Sequence, residues 1–349
     1  MDRKRCAVDG DSAGHQLKLL KIQLQLILGG KEMYKDSSIL VTGGTGSWGI
    51  ELIRQLLTLD PKEIIVYSRN ENSQVELRRK IDDARLRFFI GDIRDKEAMM
   101  AASAGIDYIF HLAALKHVPV CEENPVEAIK TNITGTQNVI DAAIDNEVKK
   151  VIYVSTDKAA DPANTYGMTK ALGEKLIIHA NGKKSGTRFT CVRGGNVLGS
   201  SGSVLPLFKK QIQELGEVHI TDKRMVRYFI SPQEAIVRLL KVAEIAQGGE
   251  VFIMNMDAFR IIDLAEVLVE ESKKKDIAIM EIGARPGEKL EEVLVAEGER
   301  PSTFIMDEDL LVVFPNGEVT PSYPQPLSHD APLLTKEEIK QMLKEAGFI

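Results

Sequence analysis

The sequence predicts an α/β chain built on a doubly wound parallel sheet with a smaller second lobe. Three observations lead there. From Ser38 to Gly199, short apolar runs alternate with longer helical stretches. A glycine-rich turn joins the first run to the first helical stretch. The chain has 349 residues, 44% of them hydrophobic and 28% charged, enough for one large core with an appended lobe.

The strand-like runs are Ile39 to Thr42, Ile64 to Tyr67, Leu86 to Ile90, Tyr108 to Leu112, Lys150 to Ser155 and Phe189 to Arg193. Each is as long as a buried parallel strand and is flanked by a helical segment, as crossovers between parallel strands require. Six such units in succession predict helices on both faces of the sheet. After Gly199 the alternation breaks down, and Pro206, Pro232, Pro286, Pro301 and the stretch from Pro315 to Pro332 punctuate shorter elements. The expected division is an N-terminal extension outside the fold (1–36), a dinucleotide-binding core (37–199 and 228–257), and a substrate-binding lobe with a C-terminal arm (200–227 and 258–349). In the extension the longest apolar run is Leu26, Ile27, Leu28. That is far short of the about 20 residues that span a bilayer, and the segment lacks the order of features of a secretory signal. A surface helix or a disordered extension accounts for it, and Met33 reads as a natural start.

Composition narrows the function. There are 45 basic and 51 acidic side chains, a net charge of -6, with no clustered basic tract, which argues against nucleic acid as a partner. Cys6, Cys121 and Cys191 are odd in number and far apart, which excludes a disulfide framework and fits a reducing, cytoplasmic location. The six histidines show no metal-ligand spacing, so no metal site is expected.

The first strand runs into Thr42, Gly43, Gly44, Thr45, Gly46, Ser47, Trp48, Gly49, and a helical segment follows from Ile50. Glycines at 43, 46 and 49 allow a tight turn, close approach of backbone to a pyrophosphate, and close packing of helix on strand. The diphosphate would meet unpaired amides at the positive end of that helix. Between a first strand and a first helix, this pattern specifies a Rossmann-type dinucleotide site. The second strand ends in Ser68, Arg69, Asn70, Glu71. An acidic residue directly at that strand end would accept from a ribose 2′-hydroxyl; Arg69 can instead bond a 2′-phosphate, so NADP is expected over NAD, although Glu71 keeps NAD binding open. Asp92 and Ile93 end the third strand, where Asp92 can accept from the adenine amino group and Ile93 can pack on the ring; alternatively Asp92 caps the next helix.

Thr156 follows Ser155 at the end of the fifth strand, and Tyr166 and Lys170 follow in a helical context. Four residues apart, they share one helix face. A lysine ammonium beside the phenol lowers its pKa, and a tyrosinate can then take the proton of a sugar hydroxyl during hydride transfer.

Together these residues resemble the extended short-chain dehydrogenase/reductase superfamily. The run Ser155, Thr156, Asp157, Lys158, Ala159 narrows the resemblance to the inverting UDP-N-acetylglucosamine 4,6-dehydratases. Supporting stretches are Ala113 to Pro119, with Ala113 and Ala114 at the cofactor; Lys130, Thr131, Asn132; Gly195, Asn196, Val197; and Arg285 to Lys289. The resemblance implies a tightly bound NADP recycled in each turnover, a UDP-sugar substrate, and a homo-oligomer, dimer or hexamer. It implies Tyr166 as the base at the carbon 4 hydroxyl, Lys158 as the base at carbon 5, and Asp157 as the acid at the carbon 6 hydroxyl. A lysine base near neutral pH needs a pKa lowered by burial or by positive neighbours, here Lys170 or the oxidised cofactor. The resemblance further implies Arg227 and Arg285 as a diphosphate clamp, Glu288 at the ribose, Asn196 near the phosphates, and Lys116 reaching the sugar or the cofactor. His117 has the same reach. Two positions depart from the pattern: Trp48 stands where Phe is more frequent, and Gly194 where Tyr is frequent. The alternatives are a 5,6-dehydratase that releases an alkene, or a sugar-nucleotide epimerase. A dinucleotide sensor without turnover would have no need for all four of Asp157, Lys158, Tyr166 and Lys170.

Overall fold

The computed structural model describes residues 32–183, 185–200, 202–285, 287–315 and 332–349. The predicted extension up to residue 31 therefore lies outside the described residues, as do Pro286 and most of the stretch between Pro315 and Pro332. The six apolar runs are strands β1 (Ser38–Thr42), β2 (Glu63–Ser68), β3 (Leu86–Ile90), β4 (Tyr108–His111), β5 (Lys150–Thr156) and β6 (Arg188–Gly194). Eight more follow: β7 (Asn196–Val197), β8 (Glu217–Ile220), β9 (Val226–Ile230), β10 (Val251–Met254), β11 (Asp257–Arg260), β12 (Ala278–Glu281), β13 (Thr303–Ile305) and β14 (Leu310–Val313).

Strands β3, β2, β1, β4, β5, β6 and β10 lie side by side, all parallel. Helices cover both faces, so the central strands are buried and mostly apolar; every residue of β1 is buried. Strand order reverses at β1, which opens a crevice beyond the C-terminal ends of β1 and β4, where sheets of this kind bind ligands. The helix Ser47–Leu57 closes one side and buries Leu52, Ile53 and Leu56 on the sheet.

Three boundaries differ from those expected. Strand β9, with Phe229, pairs with β7 and β11 in a sheet of the lobe, not in the dinucleotide core to which 228–257 was assigned, because its aromatic side chain packs in the lobe's core. Tyr34 is fully buried, its ring 5.8 Å edge-on from Tyr108, so the packed fold begins inside the stretch assigned to the extension. A large aromatic side chain fills the base of the sheet there, a contact that local sequence does not announce. Strands β14 and β13 also leave the lobe to which 258–349 was assigned. They extend the main sheet antiparallel from β10, because all four residues of β14 are apolar and buried and cover what would be an open edge.

The lobe has its own core, with Leu205, Phe208, Ile212, Val218, Phe229 and Phe259 at its centre. Phe229 and Phe259 stack with ring centroids 4.1 Å apart and join β9 to β11. The helix Lys336–Glu345, started by a reciprocal cap between Thr335 and Glu338, adds Ile339 and Leu343 to that core.

A buried ion network ties these parts together. Arg193 on β6 is 1% exposed. Its guanidinium grips both carboxylate oxygens of Glu174, at 3.1 and 2.7 Å, on the helix Thr165–Asn181. It also grips both oxygens of Glu299, at 2.8 and 2.9 Å, and the Leu294 carbonyl at 3.0 Å. Removing one partner of such a network leaves uncompensated buried charge, which costs about 3–5 kcal/mol. Arg193→Leu is accordingly expected to lower the unfolding free energy by about that amount in urea titrations; an unchanged midpoint would show that the network contributes nothing.

Candidate active site

The crevice is a cavity of about 540 Å³, the size of a cofactor or small-ligand site. One end is the glycine turn. Gly43 has φ of +70°, and a Cβ there would meet the Ala113 amide nitrogen at 2.9 Å. A Cβ on Gly49 would stand 2.5 Å from the Gly44 backbone, so only glycine lets the helix approach this closely. Beneath the turn, Thr42 Oγ1 lies 2.7 Å from His111 Nδ1, and His111 Nε2 lies 3.1 Å from Thr136 Oγ1. Burial first, then the Lys170 charge, pushes the His111 pKa down to about 3, so this bridge is neutral.

Every residue assigned to the cofactor lines this one cavity: Gly43, Thr45, Gly46, Ser47, Trp48, Gly49, Ser68, Arg69, Asn70, Asp92, Ile93, Ala113, Ala114, Tyr166 and Lys170. Several of them have local partners already. Asn70 Oδ1 accepts from the Ser73 amide at 3.0 Å and caps the next helix. Asp92 is held by Arg94 at 2.8 and 2.6 Å, and it is Asp95 that caps the helix Lys96–Ala102. Arg69 lies only loosely against Asp92, at 3.9 Å, with 54% of its side chain exposed. The two departures from the family pattern touch: a side chain at Gly194 would begin 3.4 Å from the Trp48 indole and 3.5 Å from the Met254 sulfur. Trp48 thus occupies the space beside Gly194.

At the other end stand the acid and base candidates. Lys158 Nζ donates to Asp157 Oδ1 at 2.9 Å, and Thr156 Oγ1 donates to the same oxygen at 2.9 Å. Asp157 is 1% exposed; Oδ2, its second oxygen, is buried without a hydrogen-bond partner. Thr156, Lys158, Tyr166 and Lys170 line the cavity, and Asp157 lies behind them. The helix that carries Tyr166 and Lys170 starts at Asn164, whose Oδ1 accepts from the Gly167 amide at 2.8 Å. Gly167 permits the contact with the loop that carries Asp157 and Lys158, because a Cβ there would strike the Lys158 carbonyl.

Two electrostatic expectations are corrected. Lys170 does not lower the Tyr166 pKa here. Burial pushes Tyr166 up to about 12, and the groups that pull against it are first the Thr156 side chain and then Lys158. Lys170 instead donates to the Val154 carbonyl at 2.6 Å and lies 3.8 Å above the Tyr153 ring, and burial brings its pKa down to about 7. Nor is Lys158 depressed. Burial acts downward, but Asp157 and then Glu292 together outweigh it and raise the pKa; the positive neighbour acting against them is Arg227, not Lys170.

The substrate candidates divide. Lys116 and Asn196 line the cavity, as does His117. Burial lowers the Lys116 pKa. Arg227, Arg285 and Glu288 are not brought to it. The Arg227 fork is spent on backbone carbonyls of Val226, Leu290 and Lys289 at 2.8, 3.0 and 2.7 Å. Arg285 is exposed, and a Glu288 carboxylate oxygen accepts from its amide at 3.0 Å. Sequence reasoning passed over Glu292, buried 3.6 Å from Lys158 Nζ; only its place in the stretch after Arg285 to Lys289 hinted at it. It also passed over Asn132 as a positioning group: its side chain accepts from the Leu115 amide at 2.8 Å and donates to the Leu115 carbonyl and to Thr169, both at 2.9 Å.

Residues 39–313 match the model of a family described as polysaccharide biosynthesis protein. The chain belongs to that family. A UDP-N-acetylglucosamine 4,6-dehydratase (inverting) of Campylobacter jejuni is 46% identical over 277 residues, 78% of this chain and 81% of that one. A chain of Methanocaldococcus jannaschii named only as an uncharacterized membrane protein is 48% identical, over 90% of this chain and 98% of its own. A UDP-glucose 4-epimerase of Rickettsia rickettsii is 38% identical over 91% of this chain and 98% of its own. Among solved structures, Pen from Bacillus thuringiensis superposes with a TM-score of 0.82 at 40% identity, covering 89% of this chain and 99% of that one. Among the described residues of this family member, no helix is long and apolar enough to cross a membrane.

Proposed function

We propose that this family member is an inverting UDP-N-acetylglucosamine 4,6-dehydratase that uses NADP. The observation that carries the reading is the hydrogen-bonded Asp157–Lys158 pair beside Tyr166 at the end of β5, with Lys158 on the cavity wall and Asp157 directly behind it. The 46% identity with the Campylobacter enzyme supports the same substrate. The epimerase name of the Rickettsia relative favours a second reading, 4-epimerisation, which has no use for an acid and base at carbons 5 and 6.

The residues present fit a nicotinamide dinucleotide. The glycine cradle would be filled by any Cβ, and two buried hydroxyls on the cavity wall, Ser155 Oγ and Thr131 Oγ1, have no protein partner. When bound, the nicotinamide supplies the hydride acceptor and donor. Tyr166, beside Thr156 on the cavity wall, takes the proton of the carbon 4 hydroxyl, and the resulting ketone acidifies the proton on carbon 5. Lys158 as amine removes that proton, and Asp157 as carboxylic acid protonates the departing hydroxyl at carbon 6. Moving one proton from the Lys158 ammonium to the Asp157 carboxylate across their 2.9 Å bond produces that acid and that base together. Lys170, buried beside Tyr166 on the same helix face, orients the cofactor end of the site. Lys116 and Asn196 are the polar groups available to the sugar and the diphosphate. Arg69 favours the 2′-phosphate of NADP over NAD. A homo-oligomer is part of the same reading, supported by exposed Val120, Val126, Ile129, Met168 and Leu172 on three mutually contacting helices. Two buried free thiols, Cys121 and Cys191, fit a reducing compartment.

Four measurements test these statements. In heavy water, UDP-N-acetylglucosamine is expected to yield a 4-keto-6-deoxy product of inverted configuration with deuterium at carbon 5, read by NMR; an alkene, a retained centre or a 4-epimer would each sink the reading differently. Lys158→Ala is expected to lower turnover by about 10²- to 10⁴-fold with dinucleotide binding kept. Arg69→Ala should weaken NADP by about ten- to a hundredfold and leave NAD within a few-fold; equal losses for both would return NAD to contention. In sedimentation, Met168→Glu with Leu172→Glu should dissociate the oligomer, and a monomeric wild-type chain would refute that assignment.

A further inference from the structure

The segment 287–292 crosses over the catalytic loop from the lobe, and it is pinned along its length. Asn164 Nδ2, at the start of the catalytic helix, donates to the Gly287 carbonyl at 2.9 Å. Lys289 pairs with Asp161 at 2.6 Å. The Arg227 guanidinium holds the Lys289 and Leu290 carbonyls, and the Val226 amide donates to the Leu290 carbonyl at 2.9 Å. A lone parallel bridge between Val226 and Glu291 continues the pairing. Arg227 is therefore the mount of this strap. What the strap delivers is Glu292, 5% exposed, with Oε1 3.6 Å from Lys158 Nζ. Among the described residues, Lys158 is the cation that its carboxylate meets within 4 Å. On its other side Lys158 meets Asp157 at 2.9 Å.

Lys158 thus lies between two buried carboxylates. With Asp157 it shares one proton, and only the form with amine and carboxylic acid is ready for the dehydration step. A negative charge on Glu292, 3.6 Å from Lys158 Nζ, strengthens the hold of Lys158 on that proton. We propose that Glu292 is a positioning residue which, acting through Lys158, sets how the proton is divided between Lys158 and Asp157. The proposal rests on the dehydratase reading for its meaning in turnover, but the coupling itself belongs to the protein alone. No atom is gained or lost: the proton passes between Lys158 Nζ and Asp157 Oδ1, and Glu292 biases its position. Other charged and titratable groups facing this cluster are Arg227 and Tyr228 on β9, Tyr166 on the catalytic helix, and Lys289 and Glu291 on the strap. Burial raises the Glu292 pKa, against the pull of Lys158.

The test uses the full chain and needs no substrate for its first arm. The Lys158 side-chain resonance, identified by its absence in Lys158→Met, is titrated by NMR in wild type, Glu292→Gln and Glu292→Asp. Removing the negative charge makes the ammonium easier to deprotonate, so Lys158 in Glu292→Gln should titrate roughly one pH unit lower, and Glu292→Asp should recover part of the difference. In the second arm, the acid limb of the turnover profile with UDP-N-acetylglucosamine should move to lower pH in the same variant, with KM changed less than about twofold. A Lys158 titration that stays in place in folded Glu292→Gln overturns the proposal, whatever happens to the rate. Glu292→Met, of similar length and without charge, gives the same comparison if the amide variant does not fold. If wild type makes no 4-keto-6-deoxy sugar while Lys158 still shifts, the dehydratase reading falls and the coupling stands; if the product forms and Lys158 does not shift, the coupling alone falls.

Discussion

The buried guanidinium of Arg193 is the constraint on which the rest of the architecture depends. It sits at the end of β6, on the sheet, and binds the helix Thr165–Asn181 through Glu174 and the returning chain through Glu299 and Leu294. Glu174 is one turn beyond Lys170 on the same helix, so the network also fixes how that helix lies against β5. A buried cation between two carboxylates tolerates little movement, because each displaced bond exposes charge to a medium that cannot solvate it. Sheet, catalytic helix and the segment leading to β13 are thereby held in one arrangement.

The same low-dielectric reasoning governs the site. Tyr166 is held up to about 12 and Lys170 down to about 7, each toward its neutral form, as burial demands. Lys158 goes the other way because two carboxylates surround it. The proposed base therefore holds its proton strongly, and the carboxylate proposed to receive that proton lies 2.9 Å away. A lysine depressed by positive neighbours and a lysine paired with carboxylates are opposite designs, and the chain uses the second. Its positive neighbour, Arg227, has its fork turned to backbone carbonyls and acts on the site through the strap that it holds.

Much of this was legible in the chain itself. The first six strands, the glycine turn and the strand-end residues that line the cavity beside it follow from periodicity and local spacing, because a strand, a tight turn and a helix cap are each decided by residues within about ten positions of one another. The Asp157, Lys158 pair and the spacing of Tyr166 and Lys170 are local in the same sense. Only the tertiary structure decided what depends on distant segments meeting. It brought Tyr34 beneath the sheet, added β13 and β14 to its edge, turned Arg227 away from the cavity, and set Glu292, 134 positions after Lys158, against that lysine's ammonium. Charge balance in a buried site is a property of which side chains arrive there, and arrival is fixed by packing between parts of the chain that carry no mark of each other in sequence.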